Sequence, residues 1–150
     1  RLTVFFTGIT HHSGMVNWKV VRRRLDGDDG VTNAFEDIAG AARKVRAALL
    51  AADEEGVARA VAAEWAARRR LAPEVCPPEL VRLESVARSA GAQAVKATGA
   101  GGGGCLLLWH AAGGRPLVVA ALEVAAHRGR VLSGGVAAEG CRILVGPTPV

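Results

Sequence analysis

The stretch Gly91-Ala92-Gln93-Ala94-Val95-Lys96-Ala97-Thr98-Gly99-Ala100-Gly101-Gly102-Gly103-Gly104-Cys105-Leu106-Leu107-Leu108-Trp109 decides how this chain folds. Ala94 to Thr98 reads as a strand. Cys105 to Trp109 is apolar at every position, which predicts a strand covered on both faces. Between them lie six residues with no side chain larger than a methyl. Ordering glycines costs about 0.5–1 kcal/mol each relative to Ala, so a run of them needs a reason. A flexible linker is one reason, but a linker joining two strands of one sheet without polar padding makes little sense. The better reading is an ordered loop whose amides come close to something bulky, a phosphate or another backbone. The loop is not a P-loop, because no Lys-Ser/Thr follows Gly104. Nor is it a dinucleotide fingerprint, because a strand rather than a helix follows it.

Working outward, residues 2–9 read as a β-branched and aromatic strand that ends at Gly8. A helix is predicted from Ser13 to Leu25, with Met15, Trp18, Val21 and Leu25 at helical spacing. Asp26 to Gly30 reads as a turn, whose glycine and acidic residues sit wrongly for a calcium loop. Asn33 and Glu36 form a capping-box pattern for a helix faced by Phe35, Ile38, Val45 and Leu49. Another helix follows over residues 54–71, with Val57, Val61, Trp65 and Arg68 on one stripe. Pro73, Pro77 and Pro78 break the chain. Pro78 opens a helix carrying Leu80, Leu83, Val86, Ala87 and Ala90, stopped by Gly91. Downstream, residues 116–128 read as a helix and residues 131–136 and 141–145 as strands. Strands interrupted by helices and adjacent hairpins, without regular βαβ alternation, predict an α+β domain. It should be a mostly antiparallel sheet with helices on one face, in the split βαβ style.

The 150 residues make one domain, residues 1–150. Ala (29 residues) and Gly (19) dominate the apolar half of the composition, while aromatics are only 4%. The core must therefore be built largely from small side chains. Three cysteines, Cys76, Cys105 and Cys141, are too few for a disulfide scaffold and read as small buried hydrophobes. No paired His activates any of them as a nucleophile. The net charge of +5 comes almost wholly from Arg, and Lys is confined to Lys19, Lys44 and Lys96. Arg22-Arg23-Arg24 and Arg68-Arg69-Arg70 read as solvated helix faces rather than a nucleic-acid patch, since no stacking aromatics accompany them. No apolar run reaches the ~20 residues that span a membrane. The opening Arg1-Leu2-Thr3-Val4 lacks a Met and has no signal-peptide pattern, as expected of a piece of a longer, cytoplasmic protein.

The segment from Gly91 to Cys105, followed by an apolar strand, resembles the third motif of the GHMP small-molecule kinases, the superfamily of galactokinase, homoserine kinase, mevalonate kinase and phosphomevalonate kinase. Glu64-Trp65, Arg68-Arg69-Arg70-Leu71, Phe6-Thr7-Gly8-Ile9-Thr10 and Ser13-Gly14 are similar to the branch containing the D-glycero-D-manno-heptose-phosphate kinases. The resemblance implies a ferredoxin-like C-terminal domain of an enzyme that moves the γ-phosphoryl of ATP, with Mg2+, to a hydroxyl of a sugar or sugar phosphate. It implies that Gly99, Ala100, Gly101, Gly102, Gly103 and Gly104 line the phosphate and acceptor pocket, with Lys96 and Thr98 at its mouth. His11, His12 and Ser13 would be acceptor contacts. The family's Pro-x-x-x-Gly-Leu-x-Ser-Ser loop and its catalytic carboxylate belong to an N-terminal half that these residues do not contain, so no catalytic residue and no metal ligand is expected here. The chain alone should then be inactive, and its partners would be that half, the small-molecule substrate and, in a homodimer, a second copy. The alternative is a non-catalytic ferredoxin-like ligand-binding or regulatory module whose glycine loop holds a metabolite.

Overall fold

The computed structural model describes residues 1–10, 13–137 and 139–140. Its elements run β1 (Leu2–Phe6), α1 (Ser13–Leu25), α2 (Asp29–Leu50), α3 (Glu54–Arg69), a 3-10 turn (Pro73–Val75), α4 (Pro78–Ser89), β2 (Ala92–Ala97), β3 (Cys105–His110), α5 (Arg115–Ala125) and β4 (Arg130–Val131). The sheet order is β2-β3-β1-β4, and every neighbouring pair is antiparallel. Each βαβ unit is thus split by an inserted strand, β3 between β1 and β2, and β1 between β3 and β4.

Strand periodicity assigns the two faces of this sheet. Phe5, Val95, Leu106 and Leu108 join Leu80, Leu83, Val118 and Leu122 in the main core, beneath α4 and α5. On the opposite face Ala94, Leu107 and Trp109 pack against Val57, Ala58 and Val61 of α3. The antiparallel α+β reading holds with one addition: α3 covers part of the second face. The apolar run Cys105–Trp109 in β3 follows from this, because the strand's residues alternate between half-buried and buried.

Several local expectations are revised. The cap of α2 is Asp28, whose Oδ1 accepts from the Val31 N–H at 3.0 Å, and Asn33 lies inside the helix. The turn is confined to the residues around Gly27 (φ +83°), so the helix begins four residues before the predicted cap. In α1 the stripe Met15, Trp18, Val21 and Leu25 faces outward, while Val16 and Val20 enter the core. In α2 the buried line is Val31, Ala34, Ala41 and Ala48, leaving Phe35 and Leu49 exposed. Small residues win these positions because the antiparallel pair α2–α3 packs closely, and a methyl fills the gap that remains. Strand β4 stops at Val131, short of residue 136, and residues 141–145 lie outside the described residues. Helix α5 stops at Ala125, because the chain must turn for Gly129 to lie against Phe5. A Cβ on Gly129 would sit 2.5 Å from the Phe5 ring.

Candidate functional site

The loop between β2 and β3 is held by its neighbours' backbones. Thr98 closes its base, donating from N to the Cys105 carbonyl at 2.9 Å and from Oγ1 to the same oxygen at 3.2 Å. The Gly102 N–H donates to the Val75 carbonyl in the 3-10 turn at 2.8 Å, and the Gly104 N–H to the Ile9 carbonyl at 2.9 Å. Thr7 then clasps the far side, with N and Oγ1 both donating to the Gly104 carbonyl at 2.8 Å. Glycine is required here for two reasons. Gly99, Gly101, Gly102 and Gly104 have φ between +69° and +81°, a region L side chains avoid. A Cβ on Gly101 would overlap Val75, reaching its Cγ1 at 2.8 Å, and one on Gly103 would come within 2.8 Å of the Ile9 carbonyl oxygen. The bulky neighbour inferred from the sequence is therefore, at these two positions, another stretch of backbone.

The loop also borders an open cavity. Thr98, Ala100, Gly101, Gly103 and Gly104 line a cavity of ≈ 310 Å³ with Phe6, Ile9 and Thr10. No main-chain acceptor among the described residues takes the Ala100 or Gly103 N–H, in contrast to Gly102 and Gly104. No acidic residue lines this cavity. Amides without a main-chain acceptor and a lining without carboxylates are chemically suited to an anion.

Lys96 does not stand free at the loop mouth. On β2, its ammonium lies 2.6 Å from Glu64 Oε2 of α3, and Glu64 is 6% exposed. Arg68, one turn along α3, donates from Nε to Glu64 Oε1 at 2.7 Å and reaches the Gly99 carbonyl at 3.5 Å. His11 and His12 lie outside the described residues, and Ser13 opens α1. Reading the sequence for function singled out neither Ile9 and Val75 as the loop's anchors nor Glu64 as the partner of Lys96. The break at Pro73, Pro77 and Pro78 signalled Val75 alone, which it brings against the loop, whereas Ile9 and Glu64 stood only within the stretches that resemble the kinase branch.

The arginine triplets are engaged rather than merely solvated. Arg23 pairs with Asp28 and donates to the Leu71 carbonyl, Arg69 with Glu84, and Arg70 with Asp37. Glu84 also accepts from the Trp65 indole N–H at 3.0 Å, tying α3 to α4. Cys76 and Cys105 are free and half-buried, and burial pushes the Cys76 thiol above its ordinary value. Among the described residues no three His, Cys, Asp or Glu side chains cluster as metal ligands, and no helix is long and apolar enough to cross a membrane.

Residues 45–122, which include α3, α4, the loop and most of α5, match the family model described as GHMP kinases C terminal. The chain belongs to the GHMP kinase C-terminal family. Kinases of the GHMP family are phosphotransferases. Among solved structures, this GHMP domain is similar to L. major mevalonate kinase in complex with R-mevalonate (TM-score 0.75, 22% identity, covering 85% of this chain and 39% of that one). It is also similar to a protein from Listeria innocua (TM-score 0.79, 17% identity, 89% and 38%). A third is Streptococcus pneumoniae phosphomevalonate kinase in complex with phosphomevalonate and AMPPNP (TM-score 0.70, 17% identity, 88% and 38%). At these identities the likeness is one of fold. The GHMP domain spans under two-fifths of each of these proteins. No curated protein sequence matches the chain.

Proposed function

We propose that this chain is the C-terminal part of a cytoplasmic ATP-dependent kinase acting on a sugar or sugar phosphate of the heptose-phosphate type, and that the Gly99–Gly104 loop lines its phosphate and acceptor pocket. The observation that carries the reading is a loop braced on Val75 and Ile9 that borders a cavity free of carboxylates, with the Ala100 and Gly103 N–H groups left without a main-chain acceptor. A polyphosphate fits such a surface, because preorganised amides answer negative charge without any rearrangement. Thr98, Ala100 and Gly103 would face the transferring end of ATP. The cavity has no carboxylate to hold Mg2+, so the metal would be carried by the phosphates and held by the N-terminal half of the same enzyme. Phosphoryl transfer needs positioning and charge neutralisation above all, and the loop supplies the first. In the step itself the acceptor hydroxyl oxygen bonds to the γ-phosphorus, the bond to the β-phosphate oxygen breaks, ADP leaves and a base takes the hydroxyl proton. The fold's likeness to a phosphomevalonate kinase solved with AMPPNP supports ATP as the donor.

The test is Ala100→Asp in the full chain as its gene encodes it. Ala100 lines the open cavity and is half-buried, so the substitution adds negative charge without backbone strain. The expected outcome is at least a tenfold loss of ATP-dependent phosphorylation across a panel of sugar phosphates, with Tm almost unchanged. Wild-type turnover by this variant would remove the loop from the site. A wild-type protein that binds a sugar phosphate but never transfers phosphate to it would instead favour the regulatory module.

A further inference from the structure

Glu64 is the most buried carboxylate of the described residues, and its two oxygens have different partners. Arg68 lies side-on to Oε1, with Nε at 2.7 Å. The Lys96 ammonium is 2.6 Å from Oε2 but off the axis of a hydrogen bond, so charge alone satisfies that oxygen. The cluster holds two cations and one anion, a net +1, in a setting where side-chain exposure is 26% for Arg68, 21% for Lys96 and 8% for Glu64. A purely structural buried pair needs only one cation, and a second one left over is costly unless something answers it. Nothing among the described residues does. The cavity in front of the loop has no acidic lining residue, and neither has the ≈ 290 Å³ cavity behind it, where Arg68 sits with Asn17, Phe35 and Ala100. The cluster also touches the loop directly, because Arg68 reaches the carbonyl of its first glycine.

We infer that Glu64 is a positioning residue which, by dividing its carboxylate between Lys96 and Arg68, fixes the start of the glycine loop and trims the positive charge behind it to a single unit facing a bound polyphosphate. This rests on the phosphate-binding reading of the loop. Glu64 does not line the cavity in front of the loop. Its effect is on the potential that the loop presents, and that potential is measurable.

The experiment is a double-mutant cycle in the full chain, using inorganic tripolyphosphate and ATP as probes and calorimetric Kd at several salt concentrations as readout. Glu64→Gln keeps the shape and raises the local charge to +2, so tripolyphosphate should bind about three- to tenfold tighter, with a steeper salt dependence. Lys96→Met leaves the Glu64–Arg68 pair neutral and should weaken binding by a similar factor. The double variant restores the net +1 and should return to within about twofold of wild type. Should Glu64→Gln fail to fold, Lys96→Met and the double variant decide the matter. Unchanged affinity and salt slope in the single variants, or a double variant further from wild type than either, would overturn the inference while leaving the kinase reading intact. A wild-type protein that binds neither probe would overturn both.

Discussion

The glycine loop and the α2–α3 hairpin are both built from the smallest side chains, yet they are held in opposite ways. In the hairpin, alanine methyls are the packing: Ala34, Ala41 and Ala48 of α2 and Ala58, Ala60 and Ala67 of α3 are buried, and their smallness lets two helices approach closely. In the loop the glycines bring no side chain to the packing. Backbone meets backbone at Val75 and Ile9, and the glycines are chosen by φ and by the absence of a Cβ. A small residue therefore means close approach in both places. Only in the loop is that approach made by bare backbone rather than by a methyl.

That contrast can be broken most severely at Gly101. Gly101→Ala sets a Cβ against the Val75 backbone at φ +81°, and should cost on the order of 3 kcal/mol. In a domain of this size that corresponds to about 10 °C in Tm by calorimetry. The adjacent control is Gly104→Ala, where φ is +71° but nothing lies within 4 Å of the new Cβ. Only the backbone preference is lost there, about 1–2 kcal/mol, and a loss equal to that of Gly101→Ala would show that packing against Val75 is not what fixes the loop. In the hairpin, the connection is set by Asp53, whose Oδ1 accepts the Gly56 N–H at 2.8 Å and caps α3. Asp53→Ala should cost about 1 kcal/mol in denaturant unfolding, while Asp53→Asn should cost only a fraction of that.

The smallest effect concerns pH. The Val31 N–H and then the Arg23 guanidinium hold the Asp28 carboxyl below its ordinary value. A carboxylate with a folded pKa below its unfolded one stabilises the fold above the unfolded pKa and loses that contribution as pH falls through the folded value. Tm should therefore decline below about pH 4, and less steeply in Asp28→Asn, which keeps a capping oxygen but cannot titrate. Equal slopes for the two proteins would show that Asp28 contributes nothing through its charge.

The order of elements, the α+β class, the helix ends at Pro78 and Gly91, and the ordered loop were legible in the sequence because they rest on local rules. Proline and glycine restrict φ, and strand and helix periods differ. The buried faces of α1 and α2 were not legible. Met15, Trp18 and Leu25 look like a core stripe, yet Val16 and Val20 enter the core, because in an alanine-rich chain hydrophobicity alone does not distinguish two adjacent stripes. The loop was legible as an ordered connection, while its anchors were not, since a carbonyl at Val75 or Ile9 carries no side-chain signature.

The amino-acid sequence alone dictates that residues 99–104 form a loop with no side chain larger than a methyl between two strands, since a strand-to-strand connection made of glycine is set by steric permission. Only tertiary packing settles that Lys96 meets Glu64 and that the loop is braced on Val75 and Ile9. Those outcomes depend on where α3 and the 3-10 turn come to rest against the sheet, and that is settled by packing across distances in the chain that no local pattern records.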